Sequence, residues 1–392
     1  MDIQAFQALL TPSGQGALQS ALDLHPREEQ FLTNFSRLSR IYSVDLTRAA
    51  LEIAILRDRA THKFPFANRM YFTREALEQA SSYEVSAYRA ERFRNYRLLV
   101  DLGCSVGGDT LAFASLALTI GIDLDPLRLA MSQANVQALG LAGKASFLQA
   151  DLNNPVPLGS HPSFAMFFDP ARRVGQKRIF SVKGYQPPLE IIKEWLVRYP
   201  PLGVKISPGV DISELSDYDA EVEFISLRGE LKEAVLWFGP LKTSGWRATV
   251  LPGPHTLWSA TMDDAREHPT SQPRAYLYEP DSAVLRAGLV MLLSEQLGAI
   301  QSDPSIAYLT SDRWVATPFA RSWQVEDWFP FNLKRLRTYL RERNVGQVVV
   351  KKRGSPLQPE KLIHDLRLKG ENQKVVVLTQ LRGRPIVIIC TL

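Results

Sequence analysis

The segment that most constrains the fold of this chain is a short apolar run that ends in an acid and a turn of small residues. Residues 97–102 (RLLVDL) predict a buried parallel strand, and a helix is predicted to begin at Asp109. The turn between them, GCSVGG, lets the backbone approach a ligand, and the N–H groups at the helix start can receive negative charge. This order predicts an open α/β sheet with a ligand at the carboxyl ends of its strands.

The chain on either side of this turn fits such a sheet. Strands are predicted over residues 118–122, 145–148, 164–168 and 203–206, with a later pair at 221–227 and 233–238. Helices are predicted from Pro126, where proline favours the first turn, and over 189–197. Alternating strands and helices indicate a parallel sheet with helices on both faces.

Acidic residues stand at the ends of the first four predicted strands. They are Asp101, Asp123, Asp151 and Asp169, and Asp123 follows Asp101 by 22 residues. Any one of them is equally well explained as a turn or cap residue. Four in register after a glycine-rich turn favour a binding site at that edge of the sheet.

The spacing of small residues in the turn separates two classes of nucleotide-like ligand. Dinucleotide binders use G-x-G-x-x-G, and here the three positions are Gly103, Ser105 and Gly108, so the central glycine is missing. The looser pattern D-x-G-x-G-x-G of S-adenosylmethionine binders is matched by Asp101, Gly103, Ser105 and Gly107 with one substitution. The second class is therefore favoured.

With the segments VDLGCSVGG, GIDLDP, LQADL and FDPAR, the chain resembles the class I S-adenosylmethionine-dependent methyltransferases over about residues 97–240. More narrowly, FTREALEQA, RAERF and the turn resemble a bacterial group related to the trimethylguanosine synthases. The segments AYLTSD, PFNLKRLR and VKKRGSP resemble the C-terminal THUMP-like domain of that group. The resemblance implies a Rossmann-like α/β methyltransferase sheet with an N-terminal helical region and a small C-terminal α+β domain. The expected segments are 1–95, 96–255 and 275–392.

The resemblance also implies roles for individual residues. The cofactor would be S-adenosylmethionine, and Asp169 and Pro170 would begin the catalytic loop. Asp169 would orient the nucleophile, with service as its base a further implied role; the alternative is a strand-end cap. The remaining implied contacts are Asp101, Gly103, Ser105 and Gly107 at the methionine end, Asp123 and Leu124 at the ribose and adenine, and Asp151 and Leu152 at the adenine.

The catalytic segment departs from one pattern of the family. Enzymes that methylate exocyclic amines commonly carry D/N/S-P-P-aromatic, whereas this chain has Asp169, Pro170, Ala171 and Arg172. The second proline and the stacking ring are missing, and whether a ring from elsewhere replaces it stays open. The candidates are Tyr71, Phe72 and Tyr185. Methylation of a base is expected, with the methylated atom undetermined.

Charge is distributed unevenly along the chain. From Arg313 onward there are 16 Lys/Arg and 6 Asp/Glu, a net charge of +10, while the first 312 residues have 30 and 35, a net charge of −5. Clustered cations are typical of proteins that bind RNA phosphates. The expected substrate contacts are Arg172, Lys351, Lys352 and Arg353. Secondary candidates are Lys63, Arg89 and Arg92.

The remaining observations set expectations about compartment and alternatives. Two cysteines without a CxxC pair predict neither a metal site nor disulfides, and the N-terminus lacks the pattern of a signal peptide, so a cytoplasmic protein is expected. The sequence contains no run of about 20 apolar residues, so no membrane-spanning helix is predicted. Two alternatives to an RNA methyltransferase stay open: an enzyme for a small molecule or protein, and an RNA-binding protein without catalysis. The oligomeric state is undetermined.

Overall fold

A computed structural model of the chain describes residues 1–154, 159, 164–171, 173–174, 177–178, 180–262 and 269–391, with the backbone alone at 173–174 and 177–178. The chain divides into two compact units. The first comprises Met1–Val222 and Lys232–Thr243, and the second comprises Glu223–Leu231 and Ser244–Leu392. The three segments expected from the sequence stay a prediction.

The first unit combines helices at its N-terminal end with an alternating α/β region. Its helices are α1 Ile3–Leu9, α2 Pro12–Leu22, α3 Phe31–Leu38, α4 Val44–Ala60, α5 Arg74–Gln79, α6 Tyr83–Glu91, α7 Gly108–Ala114, α8 Pro126–Ala138 and α9 Ile191–Arg198. Its strands, with the β8–β9 hairpin shared with the second unit, are β1 Leu98–Leu102, β2 Leu118–Asp123, β3 Ala145–Gln149, β4 Phe164–Phe168, β5 Arg173–Val174, β6 Lys177–Arg178, β7 Leu202–Ile206, β8 Glu221–Leu227 and β9 Glu230–Trp237.

The sheet of the first unit has the strand order β9-β7-β4-β1-β2-β3. The four pairings from β7 to β3 are parallel, as the sequence predicts, and β1 lies between β2 and β4. The expectation of a wholly parallel sheet is wrong at one edge, where β9 runs antiparallel to β7. A tight turn at Arg228 and Gly229, both with positive φ, reverses the chain between β8 and β9.

Apolar residues of the N-terminal helices share one core with the glycine-rich turn. Phe6 on α1, Leu51 on α4 and Phe64 are buried in a cluster that also contains Val106 of the turn and Met131 on α8. The N-terminal helices therefore pack against the glycine-rich turn and α8, which both follow β1 in the chain.

Local sequence signals fix several helix starts. The sequence predicts a helix that follows Thr73, and Thr73 caps α5 by accepting from the N–H of Ala76 at 3.1 Å. Pro126 is the first residue of α8, as predicted. The sequence Ser81-Ser82-Tyr83-Glu84 predicts a capping box with Ser81 as the N-cap. This prediction is wrong, because α6 begins after Ser82 and neither serine side chain caps it. The Ser81 hydroxyl instead donates to the buried Glu233 carboxylate at 2.9 Å.

Arg89 and Arg92, candidates for substrate contacts, are structural residues of the first unit. The Arg89 side chain is fully buried and binds the carboxylates of Asp109 on α7 and Glu233 on β9. Arg92 binds Glu221, which is also buried. These pairs fasten α6 to the sheet, so neither guanidinium is available to a substrate phosphate.

The second unit contains a seven-stranded sheet, the strands β10 and β11, and the C-terminal helices. Its further elements are β10 Trp246–Leu251, β11 His255–Ser259, β12 Tyr276–Pro280, α10 Ser282–Arg286, α11 Val290–Leu297, β13 Ile300–Asp303, β14 Ile306–Ser311, β15 Ala320–Pro330, α12 Leu333–Glu342, β16 Val345–Lys352, α13 Pro359–Leu366, β17 Asn372–Leu381 and β18 Arg384–Cys390. The larger sheet has the order β13-β14-β12-β15-β18-β17-β16, and β16 and β17 are parallel across α13.

Two predictions for this unit are wrong. The Pro-, Gly-, His- and Ser-rich composition of residues 251–272 predicts a linker or an irregular excursion, but His255–Ser259 within it forms β11, which pairs antiparallel with β10. The sequence also predicts one helix over residues 281–297, whereas the structure has the two helices α10 and α11, because Gly288 adopts a left-handed φ of +65° between them. Within the described residues, no helix combines the length and the apolar character that crossing a membrane requires.

Replacing Arg89 with Met should strongly destabilise the first unit, because Asp109 and Glu233 would lose their shared cation while they stay buried. The expected loss is about 3–5 kcal/mol in the free energy of unfolding, measured by urea denaturation. Arg94→Met is the control, since Arg94 forms an exposed pair with Glu91 and should leave the midpoint close to that of the unchanged chain. Equal effects of the two substitutions would contradict this account.

Candidate functional site

The turn between β1 and α7 has the strained backbone that its small residues predict. Gly103 and Gly107 have φ values of +80° and +84°, and Ser105 adopts +49°. The Ser105 hydroxyl oxygen is buried and has no hydrogen-bond partner among the residues the structure describes. A serine in a left-handed conformation with an unsatisfied hydroxyl is a feature of ligand sites.

Two polar side chains of α8 hold this loop in place, and the sequence analysis missed both. The Ser132 hydroxyl donates to the Ser105 carbonyl at 2.9 Å, and the Asn135 amide donates to the Val106 carbonyl at 2.9 Å. Asn135 also exchanges hydrogen bonds with the backbone of Tyr71. Buried Ser and Asn three residues apart on one predicted helix face were the available signal.

Asp169 lies against the start of the loop. Its backbone N–H donates to the Leu102 carbonyl at 3.0 Å, and its own carbonyl oxygen is 2.7 Å from the position that a Cβ would occupy on Gly103. Only glycine permits this approach at position 103. The predicted catalytic acid and the predicted loop are thus brought together, with the buried Pro170 next in the chain.

Asp123 supports the loop directly. Its carboxylate accepts from the N–H groups of Ser105 at 2.8 Å and Asp125 at 2.9 Å. Leu124 follows it with 61% of its surface exposed. The acid predicted to bind a ribose therefore lies beside the loop, where its remaining lone pairs are available to further donors.

Asp151 and Leu152 follow β3. The Asp151 carboxylate accepts from the backbone N–H and the side-chain amide of Asn153, while Leu152 is buried. These contacts form a local turn.

Asp101 is almost completely buried at the end of β1. Its carboxyl accepts from the Thr110 hydroxyl at 2.5 Å. Burial, together with the neighbouring Asp109 and Asp169 carboxylates, raises the pKa of Asp101 well above its usual range. Asp101, at the base of the loop, therefore tends to be protonated and neutral.

Lys205 on β7 is a site residue that the sequence analysis did not identify. Its ammonium group is 2.6 Å from Oδ2 of Asp169, and the Lys205 side chain is only 3% exposed. The Asp169 side chain keeps 23% of its surface exposed. A lysine within the apolar strand LGVKI, adjacent to the strand that ends at Asp169, was the available signal.

Other sequence candidates have structural contacts. Lys63 donates to three backbone carbonyls, and burial, with Lys205 and Lys232 near it, lowers the pKa of Lys63 to about 8. The three rings considered for stacking on a base are all buried: Tyr71, Phe72 and Tyr185. The Tyr185 hydroxyl accepts from the Ser207 N–H at 2.8 Å. Arg172 lies outside the described residues.

The basic residues at the end of β16 belong to the second unit and already have partners there. Lys351 pairs with Glu279 at 3.3 Å, and Lys352 donates to the Gln358 side chain at 3.4 Å. The Arg353 guanidinium lies over the ring of Tyr308 at 5.4 Å. Part of the positive charge predicted to meet RNA therefore contributes to the fold of this unit.

Basic residues on α12 also have partners within the second unit. Arg337 and Arg341 donate to backbone carbonyls at the end of α13. Arg335 and Arg343 lie over the rings of Phe329 and Tyr339, at 4.1 and 3.6 Å from the ring centroids. These stacked guanidinium groups extend the apolar surface of the rings and keep their charge.

Two family models match the two ends of the chain. Residues 320–392 match the model of a family described as THUMP domain-like. Residues 2–60 match a domain of unknown function, DUF8688. The first match agrees with the resemblance noted in the C-terminal motifs.

Comparison with whole proteins decides the family. The chain is 34% identical over 342 residues to proteins from the CDC 1551/Oshkosh and H37Rv strains of Mycobacterium tuberculosis, each described as an uncharacterized S-adenosylmethionine-dependent methyltransferase. The alignment covers 84% of this chain and 92% of each relative. The chain belongs to the S-adenosylmethionine-dependent methyltransferases.

The fold of this methyltransferase agrees with that of a solved structure. A protein of Porphyromonas gingivalis W83, whose crystal structure is described as that of a methyltransferase, has a TM-score of 0.73 and 20% identity. The match covers 93% of this chain and 99% of that one. The cofactor of the family is S-adenosylmethionine, and the residues at the loop fit it: Gly103 leaves no room for a side chain, and the buried Ser105 hydroxyl has no partner within the described part of the chain.

Replacing Gly103 with Ala should weaken cofactor binding by about tenfold or more, because the new methyl group would push Asp169 away from the loop. Gly140→Ala is the matched control: Gly140 has a similar φ of +76° but open space around it. Both substitutions should cost about 1–2 kcal/mol of stability from the left-handed backbone. Only Gly103→Ala should reduce the affinity for S-adenosylhomocysteine in calorimetry, and equal affinities would contradict the steric argument.

Proposed function

We propose that this methyltransferase transfers its methyl group to a base of RNA, with Asp169 orienting the nucleophile. The observation that carries the proposal is the placement of the Asp169 carboxylate. It lies beside the loop, Lys205 binds one of its oxygens, and the side chain is partly exposed. Such a carboxylate is able to accept a hydrogen bond from an N–H group of an incoming base.

The proposed binding of the cofactor follows the edge of the sheet. The residues assigned to it are Asp101, Gly103, Ser105, Gly107, Asp123, Leu124, Asp151 and Leu152. When bound, S-adenosylmethionine supplies a methyl group on an activated sulfonium. The protein then has to hold the nucleophile in line and to accept a proton, and Asp169 is assigned both tasks, with Pro170 limiting the backbone after it.

RNA as the substrate is supported by the C-terminal unit. Residues from 313 onward have a net charge of +10, and residues 320–392 match a THUMP domain-like family. An open groove of about 610 Å³ is lined by Tyr339, Arg343, Asn372 and Lys374, and also by Glu326, which pairs with Lys374. Cations beside an aromatic ring suit a single-stranded nucleic acid. The assigned contacts also include Lys351, Lys352, Arg353 and, beside the catalytic segment, Arg172.

A specific observation also favours a second candidate, a methyltransferase for a small molecule or a protein. Lys351 and Lys374 are each paired with a carboxylate of their own unit, Glu279 and Glu326. Cations that are paired internally attract phosphates less strongly. In this case the basic unit would serve folding or assembly.

The deciding experiment is transfer of labelled methyl from S-adenosylmethionine to total RNA of cells that lack this protein. The RNA proposal expects label in RNA that is digested to nucleosides, and the second candidate expects label in the protein or small-molecule fraction of the same lysate. Absence of label from RNA, with label in another fraction, would overturn the RNA proposal and leave the methyltransferase assignment intact.

Asp169→Asn should reduce methyl transfer at least about 100-fold, because an amide cannot accept the proton. Its affinity for S-adenosylhomocysteine should change little, since the backbone of residue 169 packs on Gly103. Asp211→Asn is the control, because Asp211 caps a short 3-10 turn by accepting from Ser213. Full activity of Asp169→Asn would remove this residue from the reaction.

Reversing the charge at Lys352 and Arg353 should weaken retention on RNA and reduce the slope of log affinity against log salt by about 2. The double variant Lys352→Glu/Arg353→Glu would be titrated with fluorescent total RNA at several salt concentrations. The control Arg94→Glu/Lys144→Glu changes net charge equally in the first unit, at two exposed positions. Identical salt slopes for both double variants would assign the effect to net charge alone.

A further inference from the structure

We propose that Asp169 and Lys205 together recognise the –NH–C(=O)– edge of a nucleobase, and that the ring nitrogen of this edge is the methylated atom. This inference rests on the proposed function and narrows its substrate class. The bases that present such a lactam edge are guanine, uracil and hypoxanthine.

The first observation is the hydrogen bonding of Lys205. Its ammonium group has three N–H donors, and one of them reaches Oδ2 of Asp169 at 2.6 Å. In the part of the chain that the structure describes, the ammonium has no second acceptor within hydrogen-bonding distance, although the side chain is 97% buried. Buried donors without acceptors are costly, so two unused N–H groups beside the assigned catalytic acid point to an acceptor on a ligand.

Another buried lysine shows what a structural role looks like in the same unit. Lys63 directs its three N–H groups at the carbonyl oxygens of Leu77, Glu78 and Ala80, at 2.7, 3.1 and 2.9 Å. All its donors are satisfied by the end of α5. Lys205 differs from it, because among the described residues only one of its three N–H donors has an acceptor, at the carboxyl edge of the sheet.

The second observation is the acceptor beside this donor. Oδ2 of Asp169 is bound by Lys205, whereas Oδ1 has no partner among the described residues, and the side chain is partly exposed. The pair therefore offers one free carboxylate oxygen and ammonium N–H groups side by side. This set complements one N–H donor and one carbonyl acceptor on the same edge of a base.

The catalytic segment argues against an exocyclic amine as the target. An NH₂ group presents two hydrogens and is best held by two acceptors. Here the segment runs Asp169, Pro170 and Ala171 without the second proline and the aromatic residue of that pattern, and the group next to Asp169 is a donor. If the target were an amine beside a ring nitrogen, as in an amidine edge, the protonated Lys205 would bind that ring nitrogen. It would then draw electrons away from the amine and make it a weaker nucleophile.

The proposed step balances as follows. The ring N–H gives its proton to Oδ1 of Asp169, and the electron pair released on nitrogen forms the new N–CH₃ bond. The electrons of the broken carbon–sulfur bond stay on sulfur. While nitrogen loses its proton, negative charge develops on the carbonyl oxygen of the base, and the Lys205 ammonium stabilises it.

Other charged groups surround the pair and set its electrostatic balance. The ones that act on Lys205 or Asp169 come from α6, α7, β1 and the segment after α4: Arg89, Asp109, Asp101 and Lys63. Arg89 and Asp109 bind each other, and burial raises the pKa of Asp101 so that it tends to be neutral. The Lys205 ammonium is therefore matched mainly by the Asp169 carboxylate.

Identification of the methylated nucleoside tests the inference directly. The purified full chain, labelled S-adenosylmethionine and total RNA of cells that lack the protein would be incubated, and the RNA would be digested for chromatography and mass spectrometry. The expected products are 1-methylguanosine, 3-methyluridine or 1-methylinosine. Label in an exocyclic amine of adenosine, cytidine or guanosine, or in ribose, would overturn the inference alone. Absence of label from RNA would overturn the RNA proposal and this inference with it.

Lys205→Met tests the role of the ammonium group. We expect kcat to fall roughly 10²–10³-fold, and the rise of kcat with pH to move to higher pH, since the lactam would ionise without a neighbouring cation. The deficit should therefore shrink between about pH 7 and pH 9.5, and Lys205→Arg should retain part of the activity.

Lys63→Met is the matched control, with a buried lysine removed from the same unit. It should lose stability in urea denaturation, and its pH profile should move far less than that of Lys205→Met, because Lys63 acts on Lys205 through the electrostatic field alone and binds backbone carbonyls. Calorimetry with S-adenosylhomocysteine separates folding from catalysis, because a folded Lys205→Met chain should still bind it. If Lys205→Met binds S-adenosylhomocysteine and its kcat stays lower than that of the unchanged chain by the same factor at every pH, Lys205 does not stabilise the base and the inference is wrong. Should Lys205→Met not bind, the same comparison is made with Lys205→Gln, which removes the positive charge and keeps a hydrogen-bond donor.

Discussion

The approach of Gly103 to the carbonyl of Asp169 is the contact on which the rest of the site depends. It joins the end of β1 to the end of β4 at a distance that leaves no space for a side chain. Because β2 and β4 pair with β1, and β7 pairs with β4, all in parallel, the same contact lies at the edge where Asp101, Asp123, Asp169 and Lys205 meet. Backbone geometry thus determines where the reactive side chains of the site lie.

The parallel core of the sheet was predictable because its signals are local. Apolar runs, the proline at the start of α8 and the threonine cap of α5 each act within a few residues, and the structure has all of them. Ser81 shows where this reasoning fails: its sequence suits a capping box, but its hydroxyl binds Glu233, which is far away in the chain. Tertiary contacts of this kind have no local signal.

The candidate site also has residues that the sequence predicts and residues that it does not. The four acids were recognised because each ends a strand, whereas Lys205 lies inside a buried strand where a charged residue contradicts the apolar pattern. Its role depends on the pairing of β7 with β4, which sequence spacing does not give. The basic C-terminal residues were recognised as a cluster, but their internal partners, such as Glu279 for Lys351, come from other strands of the sheet.

The side chain of Asn135 has a thermodynamic consequence. It binds the backbone of Tyr71 on one side and Val106 of the loop on the other, so one amide connects the segment after the N-terminal helices with the loop. A ligand that binds only the folded loop stabilises the loop and the segments bound to it, by an amount that grows with the ratio of ligand concentration to Kd. Resistance of the first 70 residues to proteolysis therefore becomes a reporter of loop occupancy, readable without knowledge of the methylated substrate.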